Sequence, residues 1–539
     1  MKNNITKKSN YIWQMCFAYT ISLFVFTFAI NAYGFKTERL FTNIALFLIL
    51  TSALFLCKKL DCGNKLIVFT SALFTFIPNI IVLSYLIMEH YIMKSTDFWV
   101  IFDTNPSEAS GFFTGIPTKV FLWSFVYSII CVVSAYKSIR RSGKRSWALQ
   151  IPIISVIAII SIMQPFRNQV MPVDFYKSFY KYQCEKRQVA QFFKNREQMV
   201  VESQDIVFDE ENKTFVFIIG ESQNREHMSL YGYPRETTPM LQSLNDSIVS
   251  YTNVVSPSVQ TLPCMKAILT FTNYEQPQMY IQEASLVEIV RDAGYKSFWI
   301  DNQGAEKGLG AIDTYTPTSY RSIAQMCSEY EDNPVVLLDS MVVNRYKKCL
   351  NDSANKKFIF LHLMGNHFEY STRYEESYKH FTDEPVQSRV ESQLTDNDIE
   401  IINHYDNATL YHDFIVYSII EELNKVKGIA GLIYISDHGE EVFDTEHSYS
   451  RSFERILPAM CNIPFVMWRN DKHKEEIPLM IDTDRPYCSD DIIHSWMQFA
   501  GIRYHLYDSS RSIFSEDFNE RRPRMVQGQS YDSIVSRYF

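Results

Sequence analysis

The chain has 539 residues, 46% of them hydrophobic, and a formal net charge of −9; one ordinary core does not serve that length, so two or more domains are expected. The average hides a division, because residues 1–200 carry 22 Lys+Arg against 9 Asp+Glu and residues 201–539 carry 30 against 52. Fifteen percent aromatic residues with only 17 glycines exclude a disordered or collagen-like chain, and the acidic second part lacks the basic surface that a nucleic-acid partner requires.

Five apolar stretches occupy residues 1–165, roughly Tyr11–Ala32, Leu40–Cys57, Leu66–Met88, Val120–Tyr136 and Trp147–Pro165, and none contains Asp, Glu, Lys or Arg. Each is long enough to cross about 30 Å of hydrocarbon as a helix. A single such stretch also suits a buried core helix; five in succession predict a transmembrane domain. The first lacks an A-x-A-type exit and is too long for a cleaved signal peptide. Basic residues at the amino terminus (Lys2, Lys7, Lys8), in the second connection (Lys58, Lys59, Lys65) and in the fourth (Lys137, Arg140, Arg141, Lys144, Arg145) put those segments in the cytoplasm. Everything after Pro165 is then expected outside.

That side of the membrane is oxidising, so Cys184, Cys264, Cys327, Cys349, Cys461 and Cys488 are candidates for disulfides. Spacing alone does not derive the pairing; Cys327–Cys349 and Cys461–Cys488 are the pairs suggested. Residues 166–205 form a connector. Within it, Phe175–Glu197 mixes aromatic and basic residues at helical spacing, which fits an interfacial amphipathic helix or an ordinary surface helix equally well.

From residue 213 short β-rich runs alternate with helical segments. Strands are predicted at Thr214–Ile219, Ser297–Ile300, Phe358–Leu363, Gly431–Ile435 and Pro464–Trp468, and helices at Ser285–Ala293 and Ile399–Lys425. The alternation implies a mainly parallel sheet between two helical layers, whose site lies beyond the carboxyl ends of the strands. There the sequence has Gly220-Glu221-Ser222, then Met364-Gly365-Asn366-His367, then Ser436-Asp437-His438-Gly439-Glu440. Carboxylates and imidazoles converging on one edge suit zinc. His438, His367, His447 and His362 are the candidate histidines, while His404 and His412 fall on a predicted helix and read as packing.

The blocks Phe215–Leu241, Thr261–Met265 (TLPCM), His362–His367 (HLMGNH) and Tyr434–Glu441 (YISDHGEE) together resemble the phosphoethanolamine transferases that modify lipid A or the lipopolysaccharide core, within the alkaline phosphatase/sulfatase superfamily. The setting of His447, in Asp444-Thr445-Glu446-His447, looks more like the branch acting on the inner core. The resemblance implies a five-helix transmembrane domain (1–165), the amphipathic connector (166–205) and a periplasmic α/β alkaline-phosphatase-like (sulfatase) domain (206–539) in the bacterial inner membrane. It implies one tightly bound zinc held by Glu221, Thr261, Asp437 and His438, with Thr261 as nucleophile. Ser256, Ser258 and Thr270 are rival hydroxyls, Ser258 the best of them. His367 and His447 would meet a second zinc or the phosphate oxygens and handle protons. Lys307 matches a substrate-binding lysine, and Thr104 and Glu108 match positions that hold the ethanolamine end of the donor. Val100 and Gly304 depart from the family pattern, which has Asn and Ser there.

The implied reaction is attack of Thr261 on phosphatidylethanolamine, followed by transfer of phosphoethanolamine to lipid A or lipopolysaccharide core. A phosphoglycerol transferase shares this layout, and a sulfatase-like hydrolase is a further rival, although the Arg of its C/S-x-P-x-R block is missing after Thr261. An inactive binding or signalling module of the same fold is the non-enzymatic alternative.

Overall fold

The computed structural model describes residues 177–184, 187, 201–206, 212–303, 327–332, 338–382, 394–451 and 455–538. The five apolar stretches of residues 1–165, together with Thr104, Glu108 and Lys307, lie outside the described residues, and among those described no helix is long and apolar enough to cross a membrane. Residues 177–184, within the predicted connector, are helical and belong to a different unit of the chain from the remainder.

The frame of the remainder is a seven-stranded sheet: β1 (Lys213–Gly220), β2 (Ile248–Tyr251), β3 (Lys296–Asp301), β4 (Glu329–Asp332), β5 (Lys356–His362), β6 (Ile429–Ser436) and β7 (Phe465–Arg469), in the spatial order β2-β7-β6-β1-β5-β3-β4. All five predicted strands are present, with ends shifted by one or two residues. The five strands from β6 to β4 are mutually parallel. The expectation of a mainly parallel sheet needs one correction, because β7 runs antiparallel to both β6 and β2. Two reversals cancel, so β2 again points the same way as the parallel five.

Central strands of such a sheet are apolar on both faces, and every residue of β1 and β6 is buried. Alternate residues feed two cores. Phe215, Phe217 and Ile219 meet Phe358, Phe360, Trp299 and Trp496 on one face; Val216 and Ile218 meet Ile359, Leu361, Ile415 and Ile419 on the other. The first face is covered by α1 (Thr261–Leu269), α2 (Leu286–Asp292) and α5 (Ile492–Ala500), the second by α3 (Ser340–Leu350) and α4 (Asp396–Leu423). Capping boxes fix two of these starts, Ser285 with Glu288 at α2 and Thr395 with Asp398 at α4.

None of the six described cysteines is in a disulfide, so neither Cys327–Cys349 nor Cys461–Cys488 is joined. Cys461 and Cys488 instead pack among Val255, Val259 and Leu457 as small apolar side chains.

Candidate active site

The register of the central strands builds the site. Gly220 of β1 pairs with Ser436 of β6, and the chain then closes further through Asp437 N–H donating to the Gly220 carbonyl at 3.0 Å. Glu221 and Asp437 therefore leave the sheet side by side. Glu221, Asp437 and His438, all buried, have ligand atoms within 4.8 Å of one another.

Thr261 reaches them from a different direction. Strand β2 delivers the chain to the same sheet edge, and α1 begins at Thr261. Burial of Cys264, Met265, Ile268 and Leu269 in the core pins this helix, and Pro263 sits in its first turn, where no intrahelical N–H is lost. Thr261 Oγ1 lies 3.1 Å from Glu221 Oε2, 3.3 Å from Glu221 Oε1 and 3.4 Å from His438 Nε2. No side chain caps α1, so its first N–H groups are open to an anion. Ser258, the rival hydroxyl, is engaged elsewhere, accepting from Gln260 N–H and from Gln527 Nε2. The Ser256 hydroxyl donates to the Ser258 carbonyl and that of Thr270 to the Lys266 carbonyl.

The surroundings fix each ligand. His438 Nδ1 lies 2.8 Å from the Gly439 carbonyl, which requires the proton on Nδ1 and leaves the Nε2 lone pair facing Thr261 and Glu221. Asp437 Oδ1 accepts from the N–H groups of Ser222 and His438. Its Oδ2 is buried without a hydrogen-bond donor, a costly state for a carboxylate oxygen. Burial and the charge on Glu221 hold the Asp437 carboxyl well above the usual carboxylate range. Burial also opposes ionisation of Glu221, yet its contact with His438 and the charge of Arg451 hold its carboxyl well below that range. Two carboxylates, one lone-pair imidazole and a hydroxyl form a nitrogen–oxygen donor set suited to a divalent metal such as zinc. The unpartnered Asp437 oxygen fits such an occupant.

The turn after β5 carries His367 toward Glu221, and loss of solvation there pushes its imidazole down to about 3. Gly365 is required in this turn: at φ +49° a Cβ there would stand 2.7 Å from the Glu221 carbonyl oxygen. His362 points along the sheet to Asp301 at 3.2 Å. His447 pairs with Asp398 at the start of α4, Nε2 to Oδ2 3.0 Å.

Four further contributors escaped sequence reasoning. Asp339 accepts from the N–H groups of Met364 and Gly365, both at 2.9 Å, and so sets the turn under Glu221. Gln303 donates to the Leu363 carbonyl at 2.7 Å and reaches Glu221 Oε2 at 3.4 Å. Arg451 Nη1 lies 3.9 Å from Glu221 Oε1, and its Nε lies 3.4 Å from Glu440 Oε2. None carries a local motif of its own, although Gln303 lies two residues past the end of β3 and Glu440 two residues past His438.

The sulfatase family pattern matches residues 213–502, more than half of the chain. Phosphoethanolamine transferase EptC of Escherichia coli K12 is 36% identical over 324 residues, 58% of this chain and 54% of that protein, so the match spans about half the relative's length. The crystal structure of the C-terminal periplasmic domain of E. coli EptC in complex with Zn superposes with a TM-score of 0.56 at 32% identity, covering 62% of this chain and 96% of that one. The integral membrane lipooligosaccharide phosphoethanolamine transferase A of Neisseria meningitidis gives a TM-score of 0.66 over 93% of this chain and 97% of that one; at 18% identity this shows the fold alone. With that sheet, that strand-end site and that span of matched sequence, the chain belongs to the sulfatase family.

Proposed function

We propose that this protein is a zinc-dependent phosphoethanolamine transferase of the bacterial inner membrane. It moves phosphoethanolamine from phosphatidylethanolamine to lipid A or lipopolysaccharide core, with its catalytic domain in the periplasm and residues 1–165 as a five-helix anchor. The observation that carries the reading is the position of Thr261 Oγ1, at a helix start and 3.1–3.4 Å from Glu221 and His438. The relatives' names supply the transferred group.

Glu221, Asp437, His438 and Thr261 would hold the zinc. When bound, zinc lowers the pKa of a coordinated hydroxyl and offsets charge on phosphoryl oxygens. Thr261 Oγ gives up its proton and attacks phosphorus. The phosphorus–oxygen bond to diacylglycerol breaks, its electron pair leaves on the glycerol oxygen, and that oxygen takes a proton. A phosphate or sugar hydroxyl of the acceptor then attacks the phosphothreonine in line and returns the proton and Thr261. The uncapped N–H groups of α1 face the phosphoryl oxygens during both steps. His367, half-buried and neutral beside Glu221, is suited to exchange the proton with the leaving or entering oxygen. Thr104, Glu108 and Lys307 would hold the donor's headgroup, a carboxylate being the natural partner of its ammonium.

Mass spectrometry of lipopolysaccharide from cells with and without the gene tests the reading: an increment of phosphoethanolamine that depends on Thr261 is expected. No increment on any glycolipid would overturn it.

A further inference from the structure

Neither the strand-end pattern nor the transfer chemistry accounts for Arg451. A short hairpin puts it there: Glu441–Val442 pairs antiparallel with Tyr449–Ser450, so Glu440 and Arg451 stand opposite each other just past the open end of one ladder. The Arg451 guanidinium bridges the metal ligands. Its Nη1 donates to His438 Nε2 and lies 3.9 Å from Glu221 Oε1, while its Nε lies 3.4 Å from Glu440 Oε2. A guanidinium is all donor and always charged. His438 has one lone pair at Nε2, because Nδ1–H is committed to the Gly439 carbonyl. That lone pair serves one partner at a time, a metal or Arg451.

The hairpin is held by many contacts. Phe443 and Ser450 take left-handed backbone at φ +60° and +75°, a conformation that non-glycine residues keep only where their surroundings enforce it. Asp444 accepts from Asn224 Nδ2 and Val442 N–H and meets His227 Nε2. Glu441 accepts from the N–H groups of Thr445 and Glu446. The backbone of Arg451 thus has a fixed origin, from which its long side chain reaches His438, Glu221 and Glu440.

We propose that Arg451 is a built-in counter-cation of the metal centre. Its guanidinium competes with a metal for His438 Nε2 and balances the carboxylate of Glu221. With zinc in the site, its donors, anchored beside Glu440, would serve the phosphoryl oxygens above Thr261, an anion that a guanidinium fork matches well. The second half of this proposal rests on the transferase reading; the first half does not.

The test uses the full-length protein in detergent, stripped of metal and titrated with Zn2+ against a chelating indicator. Arg451→Gln is expected to bind zinc at least about tenfold more tightly, the order by which groups around the ligands alter metal affinity. Arg451→Lys, which keeps the cation, is expected to stay within about threefold of the parent. Unchanged or weaker binding by Arg451→Gln, or equal tightening by Arg451→Lys, would overturn the counter-cation role. Arg451→Met is a second neutral variant should the Gln form fail to fold, as judged by circular dichroism. Separately, phosphoethanolamine is titrated into the zinc-loaded parent and the neutral variant and followed by phosphorus NMR. About tenfold weaker binding by the variant is expected for a lost charge-assisted bond, and equal binding overturns the second half alone. Failure of the transferase reading would show as absent transfer by the parent, leaving the zinc titration intact.

Discussion

Thr261 Oγ1 and Glu221 Oε2 approach to 3.1 Å across 40 positions of sequence, one at the start of a helix and the other at the end of the central strand. The contact joins a hydroxyl to a buried carboxylate that is held ionised, an arrangement that favours loss of the hydroxyl proton once a metal shares the site. Thr261→Ala is expected to reduce phosphoethanolamine transfer by at least about a thousandfold, since removing a nucleophile leaves only binding and electrostatics. Zinc content and thermal midpoint should change little. Thr261→Ser should keep part of the activity. Full transfer by the alanine variant, measured by mass spectrometry of the lipid products, would remove Thr261 from its role.

Metal dependence is expected from the donor set. Chelation should abolish transfer and added zinc should restore it. His438→Ala and Asp437→Asn should each weaken zinc affinity by roughly a hundredfold or more, beyond what groups around the ligands contribute. Metal analysis after dialysis at fixed free zinc reads the result directly.

His227 offers a pH signature apart from the proposed zinc ligands. It is buried between two carboxylates, Nδ1 2.7 Å from Asp406 and Nε2 3.2 Å from Asp444, while Arg235 and Tyr233 hold the other oxygen of Asp406. Burial works against its charge, yet the two carboxylates raise its pKa to about 10. The native state therefore binds this proton more tightly than the unfolded chain. The resulting stability is fully present below about pH 6.5, the unfolded value, and is lost as pH rises toward about 10. His227→Gln is expected to cost about 3–5 kcal/mol near pH 6, the usual result of stranding one side of a buried ion pair. The gap to the parent should narrow steadily in unfolding curves taken at pH 6, 8 and 10; a constant gap would contradict the charged state.

Gly365→Ala tests the backbone beneath Glu221. The new methyl group would meet the Glu221 carbonyl oxygen and nitrogen at 2.7 and 3.0 Å, in a left-handed conformation. A destabilisation of about 2 kcal/mol or more is expected from strain and clash together, along with weaker zinc binding, because the carbonyl it strikes belongs to a proposed ligand. Thermal unfolding and zinc titration check both halves.

The alternation of β-rich and helical runs was enough to find the five long strands, because buried parallel strands are continuous apolar runs. Two strands were not legible. Strand β2 (Ile248–Tyr251) is short and carries a serine, and β4 (Glu329–Asp332) reads Glu-Tyr-Glu-Asp, a charged edge that discourages further pairing. The reversal of β7 left no local trace either. Among site residues, Glu221, Asp437 and His438 were readable because strand ends concentrate ligands. Arg451 was not, since its arrival depends on a hairpin register and on two left-handed residues that sequence pattern does not mark. Asp339 was missed for a similar reason: its partners are main-chain N–H groups, which leave no signature in composition.

The far-separated sources of the site bear on the order of its assembly. Glu221 and Thr261 come early in this part of the chain, but Ser222 N–H waits for Asp437, 215 residues on, and Thr261 Oγ1 for His438, 177 residues on. A chain that emerges amino end first thus exposes its threonine long before the groups that would activate it. Until β6 takes its place beside β1 there is a hydroxyl and one acid, with no imidazole to complete the set. The pairing of β6 with β1 is what sets the late acid and imidazole beside the early acid and hydroxyl.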